Sequence, residues 1–131
     1  MILAVCADDR LGMSFGGRRQ SKDAEVRRKL LELSGGNLRM SDYSARQFEE
    51  AVHHGPDYLS GAQNGDWCFA EAPDYEDFAE KIEKIVLVRW NRHYPTDVHF
   101  RFPGKWALVQ TEDFPGSSHD TITLEVYEKC E

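Results

Sequence analysis

The sequence has few cysteines and no long apolar run. Its three cysteines, Cys6, Cys68 and Cys130, are odd in number and show no C-x-x-C spacing, which is not the pattern of a disulfide-stabilised secreted domain. The opening apolar run ends at Asp8 and is too short for a signal peptide or a membrane span. We therefore expect free thiols in a reducing cytoplasm and no membrane partner.

The sequence also lacks the histidine and glycine motifs of common metal and nucleotide sites. None of its five histidines stands in H-x-H, H-E-x-x-H or Cys/His ligand spacing, so no metal is expected. The glycine pair Gly16-Gly17 is not followed by the Gly-Lys-Ser/Thr ending of a P-loop.

The net charge of −7 argues against general nucleic-acid affinity, because such binders usually present a basic face. The charge is nevertheless uneven, with basic residues crowded in the N-terminal quarter: Arg10, Arg18, Arg19, Lys22, Arg27, Arg28 and Lys29. A basic region of this kind could bind a small anion, an acidic partner or another copy of the chain.

A chain of 131 residues with 40% apolar and 30% charged content predicts one globular domain spanning residues 1–131. Within it, the unbroken apolar run Ile85–Val88 indicates a strand buried on both faces, so Lys84–Asn91 is predicted as the central strand. Other strands are predicted at Ile2–Cys6, Leu38–Met40, Trp67–Ala70, Val98–Phe100, Lys105–Thr111 and Thr121–Tyr127. Helices are predicted at Ala24–Leu33 (capped by Asp23), Ser44–His53 and Pro73–Glu83, with irregular loops around Gly16-Gly17 and from Gly55 to Gly65. This order predicts an α/β fold with a mostly parallel sheet, flanking helices and a C-terminal antiparallel hairpin.

Several stretches, taken in order, resemble dihydrofolate reductase. The opening ILAVCADDRLGMSFGGR is similar to that family's first strand and the glycine-containing loop after it. Tyr75, the helix that follows it and IVLVRW fall at the spacing of the family's tyrosine, helix and next strand. TDVHFRFPGKW and ITLEVYEK resemble its acidic-Thr-aromatic-Phe-Pro stretch and its final strand. The resemblance implies a dihydrofolate reductase-like fold.

The residues on which that family's reaction depends do not carry over. The resemblance puts Val26 where the family has its proton-donating carboxylate, and Val98 where a threonine would bond that acid. Ala70-Glu71 replaces paired glycines at the cofactor, and Ser41–Ser44 replaces the Gly-Arg-x-Thr phosphate signature. The segment between those two points is also about half as long as the family's. We therefore expect neither reductase activity nor NADPH as a cofactor.

The loop Gly16–Asp23 is the first candidate site. Its glycines permit a close backbone approach, and Arg18 and Arg19 offer forked donors for phosphate or carboxylate. Gln20 and Ser21 are the other candidate ligand-binding residues of this loop. Ser21 precedes the start of a helix, where free N–H groups attract anions. By the same alignment, an arginine of this loop is expected to pair with Glu71 across the cleft. The alternative is a mobile surface loop with solvated arginines.

Two further stretches carry candidate residues. Ser117, Ser118 and His119 offer small donors and a titratable imidazole, although these residue types are equally typical of a hairpin turn. Trp90 and Arg92 follow the carboxyl end of the central strand, where ligands of open α/β sheets bind. Trp90 is expected to pack beside that strand.

Three functions remain open at this point. The first is a binding or regulatory domain that holds a small anionic or phosphorylated ligand, or an acidic partner, at Gly16–Asp23. The second is a phosphoester hydrolase or nuclease that uses Arg18, Arg19 and His119 with Asp23 or Asp9 as the acid. The third is a structural protein whose main interface is a homodimer.

Overall fold

A seven-stranded mixed sheet forms the centre of the protein, seen here in a computed structural model that describes residues 1–130. Its strands are β1 (Ile2–Ala7), β4 (Leu38–Met40), β5 (His53–His54), β6 (Trp67–Phe69), β7 (Lys84–Arg89), β9 (Trp106–Phe114) and β10 (Ile122–Lys129). A second, three-stranded antiparallel sheet contains β2 (Gly12–Phe15), β3 (Arg18–Arg19) and β8 (Val98–His99).

The large sheet has the strand order β5-β4-β6-β1-β7-β10-β9. The first five strands pair in parallel, and β10 pairs antiparallel with both β7 and β9. The prediction of an α/β fold with a mostly parallel sheet and an antiparallel hairpin is therefore confirmed. The predicted central strand, β7, is interior, but the middle position belongs to β1.

The sheet separates two apolar cores, and β7 shows how the sequence builds both. Ile85 and Leu87 face one core together with Tyr75 and Phe100. The alternate residues Val86 and Val88 face the other core, beneath the first helix. Because successive side chains of a strand point to opposite faces, an uninterrupted apolar run is what a strand between two cores requires.

The first predicted helix is confirmed as α1 (Ala24–Ser34). Asp23 caps it by accepting hydrogen bonds from the N–H groups of Glu25 and Val26, and Gly35 ends it in the left-handed conformation. Val26 and Leu30 form its buried face. No helix within residues 1–130 has the length and apolar character needed to cross a membrane.

The other two helix predictions were wrong in extent or type. The second helix is a single turn, α2 (Asp42–Ala45), capped by Ser41 instead of beginning at Ser44. It cannot reach His53 because His53 pairs with Arg39 in the sheet.

The acidic segment Pro73–Lys81 is a 3-10 helix with a non-helical break at Phe78, not an α-helix to Glu83. It ends where Ile82 becomes extended and fully buried ahead of β7.

The predicted loop around Gly16-Gly17 is largely a β-hairpin, formed by β2 and β3. Both glycines have positive φ, 60° and 76°, which the tight two-residue hairpin turn requires and which side chains oppose. The hairpin is anchored by the pairing of β2 with β8, and the N–H of Asp8, just after β1, donates to the carbonyl of Gly12 at the start of β2. The sequence therefore predicted the turn but not the strands that it joins.

Candidate functional site

A cleft of about 370 Å³ opens beside the carboxyl ends of β4 and β6. Three segments enclose it: the hairpin residues Gly17–Arg19, the α2 segment with Ser41–Ser44, and the residues Glu71–Asp74 that follow β6. Its position agrees with the general rule for ligand sites in open α/β sheets.

The predicted pairing of an arginine with Glu71 is present. Arg19 Nε lies 2.9 Å from Glu71 Oε2, and Arg19 Nη2 lies 3.1 Å from Oε1, so the contact is bidentate. Gln47 donates a third hydrogen bond to Glu71 Oε1, and the Arg19 guanidinium lies 4.4 Å from the Tyr43 ring centroid. Burial would lower the pKa of Arg19, but Glu71 outweighs it and raises the pKa.

Arg18 borders the same cleft in a different state. Its side chain is exposed and makes no hydrogen bond or salt bridge to any residue between 1 and 130. The two adjacent arginines thus differ: Arg19 is ion-paired within the protein, whereas the Arg18 side chain is exposed at the edge of the cleft.

Gln20 and Ser21 point away from this cleft. Gln20 Nε2 donates to Asp8 Oδ2 at 3.1 Å and to the Pro95 carbonyl at 3.3 Å. Ser21 Oγ lies 3.2 Å from His119 Nε2. The loop predicted as one site is therefore divided, and of its residues only Gly17, Arg18 and Arg19 line the cleft.

The second cluster is centred on the buried carboxylate of Asp23, which is 2% exposed. Besides capping α1, Asp23 accepts hydrogen bonds from the backbone N–H groups of Ser117 at 2.9 Å and Ser118 at 2.8 Å. Burial alone would raise the pKa of Asp23, but the hydrogen bonds that its carboxylate accepts outweigh burial and hold the pKa well below its ordinary value.

His119 belongs to this cluster and is only 4% exposed. Its Nδ1 lies 3.0 Å from Asp23 Oδ2, and its Nε2 lies 2.9 Å from the Tyr94 hydroxyl. The imidazole stacks on Trp90 with 4.7 Å between ring centroids. The loop Gly116–Asp120 thus lies in the connection of the β9–β10 hairpin, as its composition permitted, and it packs against Asp23.

Trp90 and Arg92 have different environments despite their closeness in sequence. Trp90 is 4% exposed and packs in the core beside β7, as expected. Arg92 is exposed, and its backbone carbonyl accepts a hydrogen bond from the Asp9 N–H. The structure therefore does not join these two residues into one site.

The proposed hydrolase residues are not assembled as one site either. Arg19 bonds to Glu71, whereas His119 bonds to Asp23, and no contact links the two pairs within residues 1–130. No group of three or more His, Cys, Asp or Glu side chains in this part of the chain is arranged to hold a metal ion.

Sequence reasoning missed three tyrosines of these two sites. Tyr43 covers Arg19, and Tyr94 reaches His119, although each stands in a segment interpreted as helix start or turn. A third, Tyr58, lines the cleft, and its hydroxyl lies 2.9 Å from both carboxylate oxygens of Asp74. Burial raises the pKa of Tyr58, and Asp74 adds to the shift. The only signal available was that each tyrosine stands next to Asp, Ser or Pro in the sequence.

No family model and no curated protein matches the chain. The cleft and the Asp23 cluster therefore have to be interpreted from their own chemistry.

Proposed function

We propose that this protein is a binding domain on a dihydrofolate reductase-like scaffold that has lost reductase chemistry. Its ligand is a small anionic or phosphorylated molecule held in the cleft between the β2–β3 hairpin and Glu71–Asp74. The mostly parallel sheet, its antiparallel hairpin and a cleft bounded by the loop after β1 support this scaffold.

At the positions that the resemblance assigns to the catalytic residues of dihydrofolate reductase, this chain has residues that cannot perform the reduction. Val26 is 3% exposed and packs in the core beneath α1, where an aliphatic side chain has no proton to donate. Val98 borders the cleft with another aliphatic side chain. Where the resemblance implies paired glycines against the cofactor, Glu71 forms an ion pair with Arg19, and this pair takes up space that the cofactor phosphates would need.

The observation that carries the proposal is that Arg19 is ion-paired with the protein whereas Arg18 is not. Glu71 neutralises Arg19 and holds it in place, so that Arg19 and Tyr43 form a fixed wall. Arg18 stands free at the rim with five N–H donors, and its planar fork suits a phosphate or carboxylate. An anion bound there would contact Arg18 directly without breaking an existing ion pair.

The size of the cleft limits the ligand. Its volume of about 370 Å³ lies near the lower end of the roughly 300–1,000 Å³ typical of small-molecule sites. A mononucleotide or a sugar phosphate suits this volume better than a dinucleotide. Ser41 and Ser44 also line the cleft, and the Ser41 hydroxyl is held by a hydrogen bond to Ser44 Oγ.

Isothermal titration with inorganic phosphate, mononucleotides and sugar phosphates tests the proposal. We expect at least one of these probes to bind, and Arg18→Ala to weaken binding about tenfold or more, because a charge-assisted hydrogen bond contributes roughly 1.5–3 kcal/mol. Arg10→Ala is the matched control, since it removes the same charge from an exposed arginine outside the cleft. Absence of binding for every probe, or equal losses in the two variants, would overturn the proposal.

A further inference from the structure

The Asp23 cluster contains a side-chain arrangement that ligand binding in the cleft does not use. Ser21, His119 and Asp23 form a continuous chain of polar contacts across two loops. We propose that this chain is a nucleophile–base–carboxylate relay, and that it gives the protein an ester-hydrolysing activity with Ser21 as nucleophile. The proposal does not depend on ligand binding in the cleft.

The distances are those of a working relay. Ser21 Oγ lies 3.2 Å from His119 Nε2, and His119 Nδ1 lies 3.0 Å from Asp23 Oδ2. With the Asp23 carboxylate accepting a hydrogen bond from Nδ1–H, Nε2 carries no proton and can accept a hydrogen bond from the Ser21 hydroxyl. This is the order of roles on which serine hydrolases of unrelated folds have converged.

The surroundings hold each member in place. Asp23 is 2% exposed and fixed by the backbone N–H groups of Ser117 and Ser118, so its carboxylate cannot swing away from the ring. Stacking on Trp90 fixes the plane of the imidazole. Ser21 is half-buried and follows the exposed hairpin, so it is more exposed than either His119 or Asp23.

Donors for a developing oxyanion follow Ser21 directly. Among residues 1–130, neither the Lys22 nor the Asp23 backbone N–H has a hydrogen-bond acceptor. The next N–H groups are already engaged: Ala24 donates to Ser117 Oγ, and Glu25 donates to Asp23 Oδ1. Free backbone donors beside the nucleophile are what stabilise a tetrahedral intermediate.

The reaction these groups support is hydrolysis of a carboxylic ester. Ser21 Oγ bonds to the carbonyl carbon and gives its proton to His119 Nε2; the C–O bond to the alcohol then breaks, and the alcohol leaves with that proton. Water attacks the acyl–serine in the same way, giving its proton to Nε2, which returns it to the Ser21 oxygen as the acid departs. A phosphoester fits less well, because the nearby guanidinium of Arg19 is already paired with Glu71.

Tyr94 gives the relay a distinctive feature. Its hydroxyl lies 2.9 Å from the same Nε2 that Ser21 approaches, so the two hydroxyls compete for one lone pair. Removing the tyrosine hydroxyl should therefore increase the reactivity of Ser21, whereas a purely structural network would only lose a contact.

A fluorophosphonate probe tests the nucleophile in the intact protein. We expect covalent labelling of Ser21, located by mass spectrometry, with no labelling in Ser21→Ala and faster labelling in Tyr94→Phe. Ser60→Ala, a change at an exposed serine of another loop, is the control and should label like the wild type.

A second measurement needs no substrate. In the variant Ser21→Cys, the introduced thiol should alkylate with iodoacetamide at a midpoint about one pH unit or more below that of the exposed native Cys130, because a neighbouring imidazole stabilises the thiolate. Both cysteines are followed in the same sample by mass spectrometry. Absence of fluorophosphonate labelling at Ser21, or an alkylation midpoint equal to that of Cys130, would overturn the relay.

Discussion

Asp23 joins three parts of the molecule with one carboxylate. It caps α1, holds the backbone of the loop at Ser117 and Ser118, and orients His119. A hydrogen bond to a charged group contributes about 1.5–3 kcal/mol, and a buried acceptor that loses its charge leaves several donors poorly satisfied. Local stability around this residue should therefore depend strongly on its ionisation.

That dependence gives a pH prediction with a definite sign. Because the pKa of Asp23 is lower in the folded than in the unfolded chain, its stabilisation is present above the ordinary carboxyl pKa, about 3.9, and is lost as the pH falls through the folded value. We expect the free energy of unfolding in urea to decline below about pH 5, and Asp23→Asn to show a smaller value at pH 7 with a shallower decline.

Asp42→Asn serves as the control for that series. Asp42 is 66% exposed and pairs only with the exposed His54, so its replacement should change the unfolding free energy by about 0.5 kcal/mol or less. Matching pH profiles for the two variants would contradict the role assigned to Asp23.

The second prediction for a single residue concerns Trp90. Its indole is 4% exposed, lies in the core above β7 and supports the imidazole of His119. Trp90→Ala should lower the free energy of unfolding by roughly 3–5 kcal/mol, the usual range for removing a buried aromatic ring. Urea denaturation followed by circular dichroism measures it, and a melting temperature within a degree or two of wild type would contradict the packing.

At the scale of elements, the sequence predicted the secondary structure that depends on nearby residues and missed the secondary structure that depends on contacts with distant strands. The α1 helix carries its own cap at Asp23 and its own apolar stripe, so its bounds were predicted closely. The segment after Ser41 has helical spacing of Phe48 and Val52, yet the helix stops at Ala45, and the pairing of His53 with β4 excludes a helix that extends to His53. Sheet pairing of this kind depends on distant residues and leaves no local pattern.

The connection between β9 and β10 offers a test of close packing. A Cβ added at Gly116 would lie 2.5 Å from Asp23 Oδ2 and 2.8 Å from the His119 carbonyl oxygen. Gly116→Ala should therefore displace the loop from Asp23 and cost roughly 1–3 kcal/mol, as overpacking typically does.

Thermal unfolding of Gly116→Ala can be compared with Gly65→Ala. At Gly65 an added Cβ meets no atom within 4 Å, and only the positive φ of 85° opposes the change. We expect the larger loss at Gly116, together with disappearance of the tertiary signal of the Trp90–His119 stack in near-ultraviolet circular dichroism. A Gly116→Ala protein that keeps both its melting temperature and that signal would refute the described loop packing.

At the scale of the whole molecule, the two clusters were predictable to different degrees. A pair between one of the two loop arginines and Glu71 was expected, because the resemblance to dihydrofolate reductase implies that the loop after β1 and Glu71 lie on opposite walls of one cleft; Arg19 forms that pair. Asp23 and His119 were both named as candidates, but they lie 96 positions apart, and no local spacing indicates that they touch. A homodimer stays a prediction, which sedimentation analysis can test.

The prediction for activity at this scale is negative. The protein should not oxidise NADPH in the presence of dihydrofolate, because valines stand at the proton-donating position and at its partner, and Glu71 stands at the cofactor position implied by the resemblance. A spectrophotometric assay of NADPH oxidation, with and without dihydrofolate, checks this. Oxidation at an enzyme-like rate that requires dihydrofolate would contradict it.

The order of strands in the sheet also bears on how the chain is made. β10 follows all the other strands in the sequence, yet it lies inside the sheet between β7 and β9. A ribosome delivers β9 before β10, so the nascent β9 has no strand to pair with, and the edge of β7 stays open until β10 emerges. Unpaired edges of this kind attract other chains. During synthesis, the nascent chain can therefore associate with other chains until β10 is inserted between β7 and β9. Slow translation of residues 115–121 would lengthen this period.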